Sequence, residues 1–143
     1  MSLAGVVLVV SYNQKIARRR ATLDLIMLHQ SNDGIVKDRK RFIQLRDKAH
    51  LAQWAAPDKA DSEEATVIKS VLNHYELVAI GVRQKTLHEN IYKRWLRSGF
   101  VKDWIESKPF VVQLRQNTQN HKIYCEFESL ARRWANKKEK ELL

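Results

Sequence analysis

A chain of 143 residues with a hydrophobic fraction of 44% suits one domain that buries roughly two thirds of its unfolded surface, so it needs no disulfide and no structural metal. The single cysteine, Cys125, excludes an internal disulfide and any cysteine-based zinc cluster, and four glycines and two prolines are too few for the turns of a many-stranded sheet. The net charge of +10 is lopsided, with eleven basic against five acidic residues in the first sixty; this points to an anionic partner, nucleic acid or membrane, beside the plain alternative of a generally basic protein.

Leu3 to Val10 is apolar and is followed by Ser11, Tyr12, Lys15, Arg18, Arg19 and Arg20. Eight residues cannot span a bilayer, which needs about twenty in a helix. A signal peptide carries its positive charge before the apolar run, and here it comes after. Apolar then basic is the order found at the inner end of a membrane helix. The competing reading is a short strand or the first turn of a core-docked helix. The expected organisation is an apolar stub over 1–11, one helical domain over 12–138 and a frayed tail over 139–143.

Ile16, Leu23, Ile26 and Met27 predict a helix from Tyr12 to about Gln30. Its arginines lie near its start, against the helix macrodipole, so they answer better to phosphates than to helix stability. Asn32-Asp33-Gly34 predicts a turn. A second helix is expected from Ile35 to Ala55, with Ile35, Phe42, Leu45, Ala49, Ala52 and Trp54 inward and Pro57 ending it. Lys37, Arg39, Lys40 and Arg41 read as its outer, cationic face.

The richest stretch is Ala65 to Arg83, the core of a central helix predicted at about 62–84. Val71, Tyr75, Val78 and Val82 form one stripe, Ile68, Leu72 and Ala79 a second, and Leu77 and Ile80 widen the set. Asp61 to Glu64 supplies its cap and its first-turn negative charge. Lys69, Asn73, Glu76 and Arg83 share its one polar line, which is either a satisfied interhelical network or a small polar site. Gly81 would let another segment approach closely.

Thr86 to Glu89 matches a capping box and predicts a helix from Leu87, with Ile91, Trp95 and Tyr92 or Leu96 inward. Ser98-Gly99 breaks or bends it, Phe100, Val101, Trp104 and Ile105 continue the pattern, and Ser107 to Pro109 caps a separate helix over 109–117. A last helix is expected from His121 to Lys138, with Ile123, Phe127, Leu130 and Trp134 inward and Tyr124 and Ala131 beside them. The fold class is therefore all-α: a single compact bundle of five or six helices around the central one.

His88 to Tyr92 begins like a zinc-protease pattern but lacks the second histidine, and no other histidine has a partner at metal-ligand spacing. The sequence has no glycine-rich phosphate loop, no serine-hydrolase elbow and no paired nuclease acids, and the His121–Cys125 pair lacks an orienting group. No metal, cofactor or catalytic residue is expected. Arg94, Arg97 and Arg115 lie near aromatic core residues and read as partners of Glu76, Glu126 and Glu128. The expected buried polar network is thus Asn73, Glu76, Arg94, Arg97 and Arg115, with Arg97 or Arg115 paired to Glu76.

Three stretches together resemble a known family: Leu72-Asn73-His74-Tyr75-Glu76-Leu77-Val78-Ala79-Ile80-Gly81, Glu89-Asn90-Ile91-Tyr92-Lys93-Arg94-Trp95, and Ile123-Tyr124-Cys125-Glu126-Phe127-Glu128. The family is one of short bacterial and phage proteins known only as a domain of unknown function. The likeness covers about residues 12–135. It implies one N-terminal membrane helix followed by an all-helical cytoplasmic domain, with Asn73, Tyr75 and Glu76 part of the family pattern. It implies no activity. This chain departs from the pattern by lacking a full-length span.

The expected function is that of a non-enzymatic protein-interaction module at the cytoplasmic side of a bacterial inner membrane. Lys15, Arg18, Arg19, Arg20, Lys37, Arg39, Lys40 and Arg41 would contact the anionic surface, and the helical body an unidentified protein. A homodimer through the first helix is the secondary expectation. A nucleic-acid-binding domain using the same basic half is the first rival, and an enzyme with a polar pocket at Asn73, Glu76 and Arg97 the second.

Overall fold

The computed structural model describes residues 3–48 and 50–143; Ala49, expected inward, lies outside them. Six helices occur among the described residues: α1 (Leu3–Ser31), α2 (Asp33–Lys48), α3 (Glu63–Arg83), α4 (Glu89–Thr118), α5 (Cys125–Trp134) and α6 (Lys137–Lys140). Two 3-10 turns, Leu51–Ala55 and Pro57–Lys59, link α2 to α3. The protein is all-α.

Helix α3 is the centre, as its two apolar stripes require. Ser62 caps it by accepting the Ala65 amide at 3.1 Å, and Glu63 and Glu64 sit in its first turn, where they favour the positive end of the helix dipole. Ile68, Leu72, Tyr75, Val78 and Ala79 are buried. Leu77 and Ile80 do not widen the buried face; both are exposed, because α2 packs on one side of α3 and α5 on another while a third stays open. At Gly81 the close neighbour is a side chain: Leu87 Cδ1 would stand 2.7 Å from an added Cβ, and the Thr86 and Leu87 amides both donate to the Gly81 carbonyl.

The second helix stops at Lys48 rather than running to Ala55. His50 is extended, and the chain re-enters as the turn Leu51–Ala55, which packs Leu51 and Ala55 against α4. Pro57 opens the next turn instead of ending a helix.

The helix is not broken at Ser98-Gly99, one of the two outcomes expected there, and the separate helix at 109–117 is absorbed into one helix of 30 residues with Pro109 inside it. Pro109 has no amide hydrogen for the Ile105 carbonyl. Phe100, Val101, Trp104, Phe110 and Val111 are all buried along the same helix, and that packing on both sides of the proline holds it continuous. The capping box at Thr86 does not form; His88 is the N-cap and the Thr86 hydroxyl turns back to Gly81.

Helix α5 begins at Cys125, not His121, because Tyr124 adopts a left-handed backbone with φ of 57°. Ala135 is extended and ends it. Of the tail expected to fray over 139–143, Glu139 and Lys140 instead belong to α6, closed by an Asn136–Glu139 capping box. Phe127, Leu130, Ala131 and Trp134 complete the core, where Phe127 stacks on Tyr75 with centroids 4.8 Å apart.

Candidate functional site

A carboxylate buried in the middle of the bundle organises its polar interior. Asp103, on α4, is wholly inaccessible. Arg46 Nη1 donates to its Oδ1 at 2.6 Å, the Tyr75 hydroxyl donates to its Oδ2 at 2.6 Å, and Arg39 Nη1 donates to that same Oδ2 and to the Tyr75 oxygen. Helix α2 supplies both arginines because residues 39, 42 and 46 lie on one face, and burial of Phe42 turns that face inward. Burial opposes the charge on Arg39, yet Tyr75 and Asp103 outweigh it and leave the guanidinium pKa raised. Burial, then Asp103, pushes the Tyr75 hydroxyl well above its ordinary value, so it serves as a donor.

Arg39 is therefore no outward cation, whereas the sequence places it on the anionic-surface face. Arg41 pairs with Glu64 at 3.3 Å, and Lys37 and Lys40 remain exposed. Asp103 is absent from the polar set expected from the sequence. Its signal is the spacing of Phe100, Asp103, Ser107 and Phe110, which puts the carboxylate on the inward stripe of α4.

The residues expected to form one polar network are held in separate places. Glu76 is paired with neither Arg97 nor Arg115; it accepts the backbone amides of Glu126 at 3.2 Å and Phe127 at 2.7 Å and so caps α5. Burial raises its pKa against those two bonds. Asn73 accepts the Tyr124 hydroxyl at 3.0 Å. Arg97 donates to the Trp134 carbonyl and to Glu139, which ties α6 to α4. Arg115 donates to the Ile123 carbonyl at 2.9 Å and pairs with Glu128 at 2.8 Å. Arg94 is exposed, because it lies opposite Tyr92 on the helix.

Beside the Asp103 cluster, His29 on α1 meets His74 on α3, Nε2 to Nδ1 at 2.9 Å. Burial, then His29 and Arg39, lowers the His74 pKa to about 3, and burial with Arg39 lowers that of His29. Both imidazoles are neutral at pH 7. They border a pocket of about 220 Å³ at the meeting of α1, α2, α3 and α4, walled by Ile35, Val36, Val71, Trp95 and Leu96.

Helix α1 docks only through its second half. Thr22 is buried, accepting the His88 amide at 2.8 Å, and Leu25, Ile26 and His29 are half-buried. Ile16, Leu23 and Met27, expected on its inner stripe, are exposed. In the first half every residue from Leu3 to Ala17 is exposed except the half-buried Gly5. Val7 is 61% and Leu8 69% exposed. That half is thus neither a strand nor a core-docked turn. No helix among the described residues is long and apolar enough to cross a membrane.

The fold and these features define a basic all-helical domain with a buried arginine–carboxylate core and an apolar helical arm. The chain belongs to DUF4760, a domain of unknown function, whose family model matches residues 1–134 and so includes the arm. No curated protein and no solved structure matches it.

Proposed function

We propose that the protein is a non-enzymatic interaction module that holds an anionic membrane surface through the first half of α1, on the cytoplasmic side of a bacterial membrane. The observation behind this reading is the exposed arm. Val6 to Val10 are five consecutive apolar residues, more than the 3.6 of one helical turn, so the arm is apolar around its whole circumference. A second copy packed against it would cover one stripe, whereas lipid covers all sides. Leu3 to Val10 is about 12 Å long at 1.5 Å per residue, which reaches into one leaflet of a hydrocarbon core about 30 Å thick. Tyr12 follows at the level where aromatic rings favour the membrane–water interface, and then come Lys15, Arg18, Arg19 and Arg20.

None of those four cations has an acidic partner among the described residues, and each adds about 1 kcal/mol near an anionic surface. Lys37 and Lys40 extend the cationic set, and the cytoplasmic side follows from the preference of basic segments for that face. The helical body, outside the lipid, is the part available to a protein partner.

Flotation with anionic and zwitterionic vesicles tests the reading. Binding should require anionic lipid, weaken with salt, and fall in the double variant Val7→Ser, Val9→Ser. Equal flotation of that variant would remove the arm from the account, and no flotation together with tight salt-dependent binding to duplex DNA would replace it with the nucleic-acid reading.

A further inference from the structure

We propose that the pocket between α1, α2, α3 and α4 binds a small monocarboxylate with a compact apolar body, its carboxylate meeting the unpaired edge of Arg39. This inference is independent of the membrane reading, because the pocket lies beside the Asp103 cluster and not on the arm.

Size limits the ligand. An apolar cavity of about 150 Å³ accommodates benzene, and drug-sized ligands occupy about 300–1,000 Å³. At about 220 Å³ the pocket fits a single ring or a short branched chain carrying one head group. Ile35, Val36, Val71, Trp95 and Leu96 supply the apolar wall.

Charge selects the head group. Arg39 directs only Nη1 at Asp103 and Tyr75; its Nε and Nη2 have no protein acceptor among the described residues, and its side chain, 28% exposed, is one of those that line the pocket. The charged residues lining the pocket are Arg39 and Lys40 against Asp38, with both histidines neutral, while beneath them Asp103 joins Arg39 to Arg46 and Asp47 pairs with Arg46. Asp38 is engaged at the rim by the Ser70 hydroxyl at 2.8 Å. A carboxylate suits the cationic side of this lining, and a planar guanidinium edge matches a carboxylate in geometry as well as charge. An amide of the same shape lacks the charge, and an amine meets repulsion from Arg39. His29 offers a second contact: its Nε2 is taken by His74, while Nδ1 has no protein partner among the described residues. A bound carboxylate would select the tautomer with hydrogen on His29 Nδ1, its Nε2 then accepting from His74 Nδ1–H.

Benzoate, benzamide and benzylamine form a matched probe set for nuclear magnetic resonance titration of the Trp95 indole at neutral pH. Benzoate should give a saturable shift with a Kd of about 1 mM, a reasonable affinity for so few atoms, and the other two should bind at least about ten-fold more weakly. Val36→Phe, which fills the pocket, and Ser70→Phe, which closes its exposed rim, should each abolish the shift; the second position is on the surface and leaves folding intact. The proposal is overturned if benzoate gives no saturable shift up to about 10 mM, if benzamide binds as well as benzoate, or if binding survives both substitutions.

Discussion

His29 and His74 touch through Nε2 and Nδ1 at 2.9 Å, and with the Thr22–His88 bond this contact fastens α1 to the body. The two residues are 45 positions apart on different helices. The accepting ring must be neutral, so the two cannot both carry a charge.

That requirement has a pH signature. The His74 pKa is depressed from 6.5 to about 3 by burial, then by His29 and Arg39. Between those values the unfolded chain binds a proton that the folded protein refuses, so stability is lost as pH falls from about 6.5 towards 3. Thermal unfolding across this range should show a steeper loss for the native sequence than for His74→Leu, with the carboxylates common to both cancelling in the comparison. Parallel curves would show that the pair does not titrate with folding.

Asp103 should be the most sensitive polar position. Asp103→Asn leaves Arg39 and Arg46 without their shared anion, and stranding buried charge costs about 3–5 kcal/mol. Urea unfolding measures the loss. Arg39→Met combined with Asp103→Leu removes charge from both sides and should cost less than the two single losses added, since the residues act as one unit.

Glu76 should prove a capping group. Glu76→Gln keeps one acceptor for the Glu126 and Phe127 amides and loses the charge that favours a helix N-terminus, at about 1–2 kcal/mol. Hydrogen exchange at Glu126 and Phe127 should accelerate while amides of α2 are unchanged. Uniform acceleration would indicate a global role instead.

The central helix is legible because its pattern is dense and local: two apolar stripes, a serine cap and two first-turn acids agree. The continuity of α4 is not, since Ser98-Gly99 and Pro109 are local signals for interruption and the buried residues on either side override them. The cationic run on α2 reads as a surface because sequence spacing does not reveal that Asp103 lies across from Arg39, 64 residues away. The His29–His74 contact leaves no spacing signal for the same reason. Tyr75 is foreseen as core, but its hydroxyl partner is not, because that requires knowing which stripe of α4 faces α3.

The arm of α1 carries the proposed membrane contact, and its depth in a bilayer can be measured. A spin label at Val7→Cys in a Cys125→Ser background reports collision with oxygen, which concentrates in lipid, and with a water-soluble nickel complex. On anionic vesicles the label at position 7 should become accessible to oxygen and shielded from nickel, while one at Lys37→Cys stays accessible to nickel. A label at position 7 equally exposed to nickel with and without vesicles would contradict membrane insertion.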